Sequence, residues 1–384
     1  MGPSTESLGA LRVCIVGPLP PPSGGMANQC EQLARLLAEE RVSVEVVRSN
    51  PPYRPAIVGQ LRGVRALFRL LPYLVSLWRA AGRADVMHVF ANSGWAWHLF
   101  STPAIWLAHL RAVPVIVNYR GGFAGSFFAA APAHVFNTLR LAAQLVTPSA
   151  YLQRVFAQFD LDARIIPNII DLSRFSACDR RDFGDSPHLV VTRNLEDIYD
   201  IPTAIRAFAH VRGRFPGARL TVAGTGPALA SLRELVRSLG IEQVVSFAGR
   251  IDNARIPALY GSADCVLNPS TVDNMPISIL EAYASAVPVV STDAGGIPDI
   301  AQDGVSARLV GVGDHQAMGA AAVEVLSQPE LARRLTGAGR EEAARYAWHE
   351  VGPQWMQLYR ELSRSRGAGA ASSRGTSSDG GIAQ

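Results

Sequence analysis

Short runs dense in Val, Ile and Leu alternate along the chain with longer stretches in which apolar residues return with the helical period of about 3.6. Residues 11–16 (LRVCIV) form the first such run. They lead through a Pro- and Gly-rich loop, GPLPPPSGGMA, into a stretch where Met26, Leu33, Leu36 and Leu37 share one helical face. Continuous apolar runs of strand length suit strands covered on both faces, as in parallel sheets joined by helical crossovers. VSVEVVRS, ADVMHVF and VPVIVNY follow as strands, and QLVTPSA and ARIIPNIID close this half. Residues 177–187 (ACDRRDFGDSP) have the polar, turn-rich composition of a linker. The pattern then restarts, with HLVVTRN, RLTVAG, VVSFAG, CVLNPS and PVVST as strands and helices predicted over 202–213, 227–239, 254–262 and 277–286. The prediction is an α/β chain of two tandem, doubly wound parallel-sheet domains facing a cleft, 1–176 and 188–345.

A last helix is predicted within 346–364. Its Trp348, Trp355, Met356, Leu358 and Tyr359 are too much apolar surface for a free terminus, so it is expected to dock on protein. Residues 365–384 have little to bury and are expected to be a disordered tail.

The 384 residues and 48% hydrophobic content suffice for two cores. Cys14, Cys30, Cys178 and Cys265 are scattered, without a CxxC pair or a His at metal spacing, so neither a disulfide framework nor a zinc site is expected. That usage fits a reducing, cytoplasmic setting. Residues 1–10 lack the basic start and apolar run of a signal peptide, and no charge-free apolar run reaches the roughly 18 residues of a spanning helix.

The net charge of +4 conceals an asymmetry. Between Val46 and Phe159 there are eleven arginines and one acid, Asp85. The aromatic-interleaved motifs, helix-turn-helix patterns and zinc fingers that accompany nucleic-acid binding are missing, so nucleic acid is not an expected partner. Within YRPAIVGQLRGVRALFRLLPYLVSLWRA (53–80), Arg62, Arg65 and Arg69 recur at helical spacing among apolar residues. This suits either an interfacial helix on an anionic membrane or a helix packed on the sheet with a solvated basic face. The first alternative implies a cytoplasmic protein peripheral to the inner membrane face. The chain has no lysine, a compositional bias toward arginine rather than a functional demand.

In doubly wound sheets ligands sit beyond the carboxyl ends of strands. Five loops there carry chemistry. GPLPPPSGGMA ends in Gly24-Gly25 before a helix, where bare amides can approach an anion. It lacks the GxGxxG spacing and the later acid of a dinucleotide site, which disfavours hydride transfer. NYRGGF sets Arg120 beside Gly121, VVTRNLEDIYD ends a strand in Arg193, and AGTGPA turns through Gly224 and Gly226. TVDNMP places Asp273 before a helix that carries Glu281 just over one turn in. Taken singly, each has a plain structural reading: a tight turn, an Asx cap, a solvated helix position. Together they offer what phosphate oxygens want, Arg and amides, with what sugar hydroxyls want, carboxylates.

These motifs resemble the family 4 glycosyltransferases, retaining enzymes with two Rossmann-like domains in the GT-B arrangement, over residues 11–362. The resemblance is strongest in DNMPISILEA, PVVST and AGGIPD, and extends to IIPNIIDLSRF and GPLPPPSGGMA. It implies a nucleotide-sugar donor as substrate, no cofactor and no obligatory metal. Glu281 would bind the ribose hydroxyls, Asp273 with the backbone of Asn274, Met275, Pro276 and Ile277 the transferred sugar, and Arg193 the leaving diphosphate. Gly25, Tyr199, Gly224, Gly226, Arg250 and Ile251 would complete the donor side, and Gly24, Arg120 and Gly121 the acceptor side. The last helix would cross back to the N-terminal domain.

Three positions depart from the family pattern: Asp273 stands for the more common Glu, Tyr199 for a Lys, and Arg120 for a His. Arg120 is then expected to face a lipid-diphosphate acceptor. The expected function is transfer of a sugar to a lipid-linked or polysaccharide glycan. A nucleotide-sugar 2-epimerase-like isomerase and a non-catalytic nucleotide-sugar-binding partner share the architecture and stand as alternatives.

Overall fold

A computed structural model describes residues 11–21, 24–51, 65–176 and 183–375. The opening decapeptide, residues 52–64 with Arg62, residues 177–182 of the linker and residues 376–384 of the tail lie outside the described residues. The chain divides into two compact units. Unit 1 takes Met1–Pro148, Leu152–Ile166 and Gly352–Gln384, and unit 2 takes Ser149–Tyr151 and Pro167–Val351.

Unit 1 is built on a parallel sheet of β1 (Arg12–Gly17), β2 (Ser43–Arg48), β3 (Val86–Ala91), β4 (Val115–Tyr119), β5 (Gln144–Thr147) and β6 (Ala163–Ile165). Its order is β2-β1-β3-β4-β5-β6. The chain leaves β1 toward one edge and returns at β3 on the other side, so the topological switch lies between β1 and β3. Every residue of β3 and β4 is buried, as the continuous apolar runs predict. Helices α1 (Gly25–Glu39), α2 (Arg65–Ala81), α3 (Thr102–Leu110), α4 (Ala124–Ala129), α5 (Ala133–Leu139) and α6 (Ala150–Ala157) connect and cover the strands.

α2 lies in the basic segment. Tyr73, Leu77, Ala80 and Ala81 are buried, while Phe68, Leu71, Val75 and Trp78 are 54%, 63%, 49% and 46% exposed. Those four recur at three- and four-residue spacing, so the helix carries a second apolar face turned to solvent. This face is apolar where a solvated helix would be charged.

Unit 2 has β7 (His188–Val191), α7 (Ile201–Arg214), β8 (Arg219–Ala223), α8 (Leu229–Ser238), β9 (Val245–Gly249), α9 (Ile256–Gly261), β10 (Cys265–Asn268), α10 (Ile277–Ala284), β11 (Val289–Thr292) and β12 (Arg308–Val310). Helices α11 (His315–Ser327) and α12 (Pro329–Ala344) follow. The sheet is parallel in the order β12-β11-β10-β7-β8-β9, with its switch between β7 and β10. The sequence pattern does not predict β12, whose three residues are too few to show a period. Residues 167–176, which the pattern assigns to the first domain, pack with unit 2. Ile170 and Phe175 join its core, and Ile170 N donates to Tyr346 O at 2.9 Å.

α13 (Trp348–Gly375) begins in unit 2 and continues in unit 1. Within unit 1 its Trp355, Leu358 and Tyr359 are fully buried. Burying each such side chain stabilises by roughly 1.5–3 kcal/mol relative to leaving it in water. The helix runs on through residues 365–375, which the pattern assigns to a disordered tail. Once a helix is nucleated, each added residue needs only to continue it, and this segment does so although its glycines are as many as its alanines.

Candidate active site

At the switch point of unit 2 the strand ends bring together polar residues far apart in sequence. Arg193 follows β7. Its Nε donates to Asn268 Oδ1 at 2.9 Å, and its Nη2 to Ser270 Oγ at 3.1 Å. Asn268 closes β10 and donates in turn to Ser291 Oγ of β11 at 2.9 Å, while Thr292 Oγ1 donates to Ser270 O at 2.6 Å. Three neighbouring strands are thus stitched at their carboxyl ends around one guanidinium.

Arg193 is ion-paired with Asp273, the two side chains being only 12% and 14% exposed. Its Cζ stands 4.7 Å from the centre of the Tyr199 ring. Tyr199, where the resemblance leads one to expect a second cation, provides a π face to the first. Burial holds the Arg193 pKa below its ordinary value, against the neighbouring Tyr199, Tyr260 and Glu281. A desolvated cation with fixed hydrogen bonds is pre-organised to meet an anion.

The loop carrying Asp273 is propped from behind by DAGG (293–296). Gly296 N donates to Asp273 O at 2.7 Å. Gly295 sits at φ +58, and a Cβ there would lie 2.3 Å from the same oxygen, so only glycine fits both the backbone and the space. Met275 is buried, and Asn168 Nδ2 donates to its carbonyl at 2.8 Å. Pro276 occupies the N-cap, and Ile277 begins α10.

Glu281 lies in α10, partly exposed, and accepts from Tyr260 Oη at 3.2 Å. Tyr260 is fully buried, and its hydroxyl lies 2.7 Å from Thr192 Oγ1 beside Arg193. Burial pushes the Glu281 carboxyl up to about 7, while the Tyr260 hydrogen bond and the charges of Arg174 and Arg193 pull the other way. Gly224 and Gly226 stand close behind Arg193. A Cβ at either would come within 1.9 or 2.2 Å of the carbonyl oxygens of Arg193 and Leu195 respectively. These glycines let the loop after β8 pack on the loop that carries Arg193. Arg250 and Ile251 follow β9, two strands from β7, at the sheet margin.

The remaining sequence-predicted residues belong to unit 1. Gly24 caps α1 and Gly25 begins it. A Cβ at either would meet nothing within 4 Å, so the side-chain space of both is open. Arg120 follows β4, and its Nε donates to Asn118 Oδ1 at 3.2 Å. Burial lowers its pKa to about 10. Gly121 is packed against Asn92 and Ser93, which tie the loops after β3 and β4 together.

Sequence reasoning missed Tyr260, Asn268 and Ser270, whose partners lie 21, 75 and 77 positions away. One signal for Asn268 existed: a polar residue ending an otherwise apolar buried strand.

Two family profiles tile the chain: Glycosyltransferase Family 4 matches residues 23–174, and Glycosyl transferases group 1 matches residues 180–342. Among curated proteins, glycogen synthase of Mycobacterium tuberculosis is 27% identical over 298 residues, covering 74% of this chain and 70% of that protein. The GDP-mannose-dependent alpha-(1-6)-phosphatidylinositol monomannoside mannosyltransferase of Mycolicibacterium smegmatis is 30% identical over 219 residues, 55% of this chain and 56% of that one. Sucrose-phosphate synthase from Thermosynechococcus elongatus superposes with a TM-score of 0.73 at 18% identity, over 92% of this chain and all (100%) of the other. Anabaena HepE in complex with UDP and glucose gives 0.71 at 16%, over 91% and 100%. These structures share the fold, the two-sheet architecture of GT-B enzymes, as the alternation of strands and helices predicts.

Proposed function

The chain belongs to the group 1 glycosyltransferases, and from that premise we propose that it transfers a sugar, with retention, from a nucleotide-sugar donor to a lipid-linked glycan acceptor at an anionic membrane. The observation that carries the donor half is the joining of Arg193, Asp273 and Glu281 at one strand edge. Arg193 meets the diphosphate and offsets the charge that grows as it leaves. Ionised Glu281 accepts hydrogen bonds from the two ribose hydroxyls, and Asp273 takes those of the transferred sugar. Its ion pair with Arg193 keeps both groups charged and in place until the donor arrives. The acceptor hydroxyl attacks from the face the nucleotide leaves, and a diphosphate oxygen takes its proton. Positioning and charge stabilisation do the catalytic work, with neither a metal nor a protein base required.

The exposed apolar face of α2 supports the membrane. Trp106 and Leu110 of α3 extend it, and Arg111 lies over the Trp78 ring at 4.4 Å. Apolar side chains interleaved with arginines fit the boundary between acyl chains and anionic headgroups. The mycobacterial relative named for a phosphatidylinositol mannoside accords with a lipid acceptor.

The test is release of nucleoside diphosphate from UDP-, GDP- and ADP-sugars with and without vesicles of a bacterial lipid extract that contains phosphatidylinositol and phosphatidylglycerol. Acceptor-dependent release from one donor, lost in Glu281→Ala, is expected. Release that persists in Glu281→Ala overturns the site, and conversion of the donor sugar without any acceptor supports an isomerase instead.

A further inference from the structure

Inside unit 1 a line of hydrogen bonds runs from the loop after β4 to α13. Arg120 Nε donates to Asn118 Oδ1 at 3.2 Å, Asn118 Nδ2 stands 3.0 Å from His88 Nε2, and His88 Nδ1 stands 2.7 Å from Tyr359 Oη. Asn118, His88 and Tyr359 are fully buried, in strands β4 and β3 and in α13. A parallel strand buried on both faces is ordinarily apolar throughout. Polar side chains at its centre demand partners, and here each supplies the next.

The chemistry allows one arrangement of protons. Arginine has only donors, so Asn118 must turn its oxygen to Arg120 and its amide to His88. The amide donates, so His88 Nε2 must carry a lone pair. A neutral imidazole then holds its single proton on Nδ1 and donates it to Tyr359 Oη. Protonation of His88 would set two donors against each other at Asn118, and burial pushes its pKa well below the ordinary value. Packing holds the ring as firmly. His88 stacks on Phe90 at 4.8 Å and 9° and meets Trp355 of α13 at 4.7 Å. The Phe90 ring also lies 4.9 Å beneath the Arg120 guanidinium.

We propose that Asn118 and His88 are positioning residues for Arg120, a tautomer-locked relay anchored on Tyr359 of the C-terminal helix that aims this guanidinium at the anionic group of the acceptor. The inference rests on the proposed transfer to an anionic lipid-linked acceptor and on the acceptor-side role that the family resemblance implies for Arg120. Its physical content is that a long, flexible side chain is set before the ligand arrives, so binding need not order it. The last helix then has a reason to carry a buried Tyr in addition to apolar residues.

The test uses the full chain labelled with ¹⁵N-arginine and ¹⁵N-histidine, with Arg120→Lys and His88→Gln to assign the two signals. The expected result at neutral pH is His88 as the Nδ1–H tautomer and an Arg120 Nε–H in slow solvent exchange. Asn118→Ala is expected to speed that exchange at least tenfold and to release the His88 tautomer. Tyr359→Phe keeps the ring and its stacking and serves if the first variant fails to fold; it is expected to mix the His88 tautomers and speed Arg120 exchange severalfold. Inorganic pyrophosphate, titrated against the Arg120 signal, is expected to saturate in the native protein and to need about tenfold more in Asn118→Ala. An Nε2–H or doubly protonated His88, or Arg120 exchange unchanged in both variants, overturns the relay. An intact relay with no saturable response to pyrophosphate overturns the acceptor-side purpose, and neither result depends on the donor-site assignment tested by nucleotide release.

Discussion

The two units share a doubly wound six-stranded parallel architecture, in different strand orders and with opposite finishes. In unit 2 the carboxyl edge is sewn shut: hydrogen bonds cross from β7 to β10 to β11, an arginine and an aspartate neutralise each other, and glycines are present because backbone stands where a Cβ would go. In unit 1 Gly24 and Gly25 have open space where a Cβ would go, Gly121 packs on Asn92 and Ser93, and Arg120 donates to the neutral amide of Asn118. The flanks differ as well. Apart from Leu239, Val305 and Val312, the exposed large apolar side chains among the described residues all belong to unit 1. The shared fold supplies only strand ends around a switch point; side chains make one edge a rigid polar receptor and the other an open edge beside an apolar flank.

The comparison breaks most directly at its charge. If unit 2 carries the leaving diphosphate, Arg193→Ala slows acceptor-dependent nucleotide release by about 10²–10³-fold, the usual effect of removing one pre-organised charge-stabilising group. Arg193→Lys, which keeps the charge but loses the fork that binds Asn268 and Ser270, stays folded and remains slow. Steady-state release with matched thermal melts separates catalysis from folding. Equal slowing by Arg120→Ala would remove the distinction between the two edges.

Glu281 sharpens it through pH. Its folded pKa of about 7 lies above the usual 4.5, so around pH 6 the folded protein holds a proton that the unfolded chain has released. The Glu281 contribution to stability is therefore fullest below about pH 4.5 and falls as pH rises to about 7, by at most about 3 kcal/mol at ~1.4 kcal/mol per pH unit. Denaturant titrations at several pH values check this, and the fall is expected to vanish in Glu281→Gln. Nucleotide binding runs the opposite way. Accepting two ribose hydroxyls needs the carboxylate, so affinity for nucleoside diphosphate rises through pH 7 in the native protein and stays flat in the variant.

The glycines give a smaller contrast. Gly226→Ala must displace the Leu195 carbonyl and is expected to destabilise by about 1–3 kcal/mol, the cost of overpacking. Gly25→Ala meets nothing and should leave stability within about 0.5 kcal/mol while lowering transfer. Urea unfolding with release assays distinguishes these patterns, and identical behaviour of the two variants would mean that the glycines do the same job.

Much of this was legible in the chain. Alternation of strand and helix periods predicts both sheets, and DNMPISILEA marks the loop and helix that hold Asp273 and Glu281. Pairing was not legible. That Arg193 would meet Asp273, or Tyr260 would cap Glu281, depends on which strands become neighbours at the switch point, a long-range fact no local period encodes. His88 and Asn118 are an intermediate case. Each is a polar residue in a strand otherwise fit for burial, which signals a required partner without naming it. β12 and the helical stretch 365–375 escape for a further reason: short or low-complexity segments follow what they attach to.

The last contrast concerns the flanks. Replacing Leu71 and Val75 together by Ser removes apolar area that would leave water on binding, and is expected to lower partition onto vesicles with anionic lipid about tenfold, ~1.4 kcal/mol. The paired control in unit 2, Leu239 and Val312 to Ser, is expected to change nothing. Sedimentation with vesicles of graded phosphatidylglycerol content measures both. Because each arginine near an anionic surface contributes about 1 kcal/mol that salt screens, raising ionic strength should weaken native binding and leave the serine variant weaker still. Equal losses from both pairs would make the exposed apolar face of α2 an ordinary patch, and the acceptor would then have to reach Arg120 from solution.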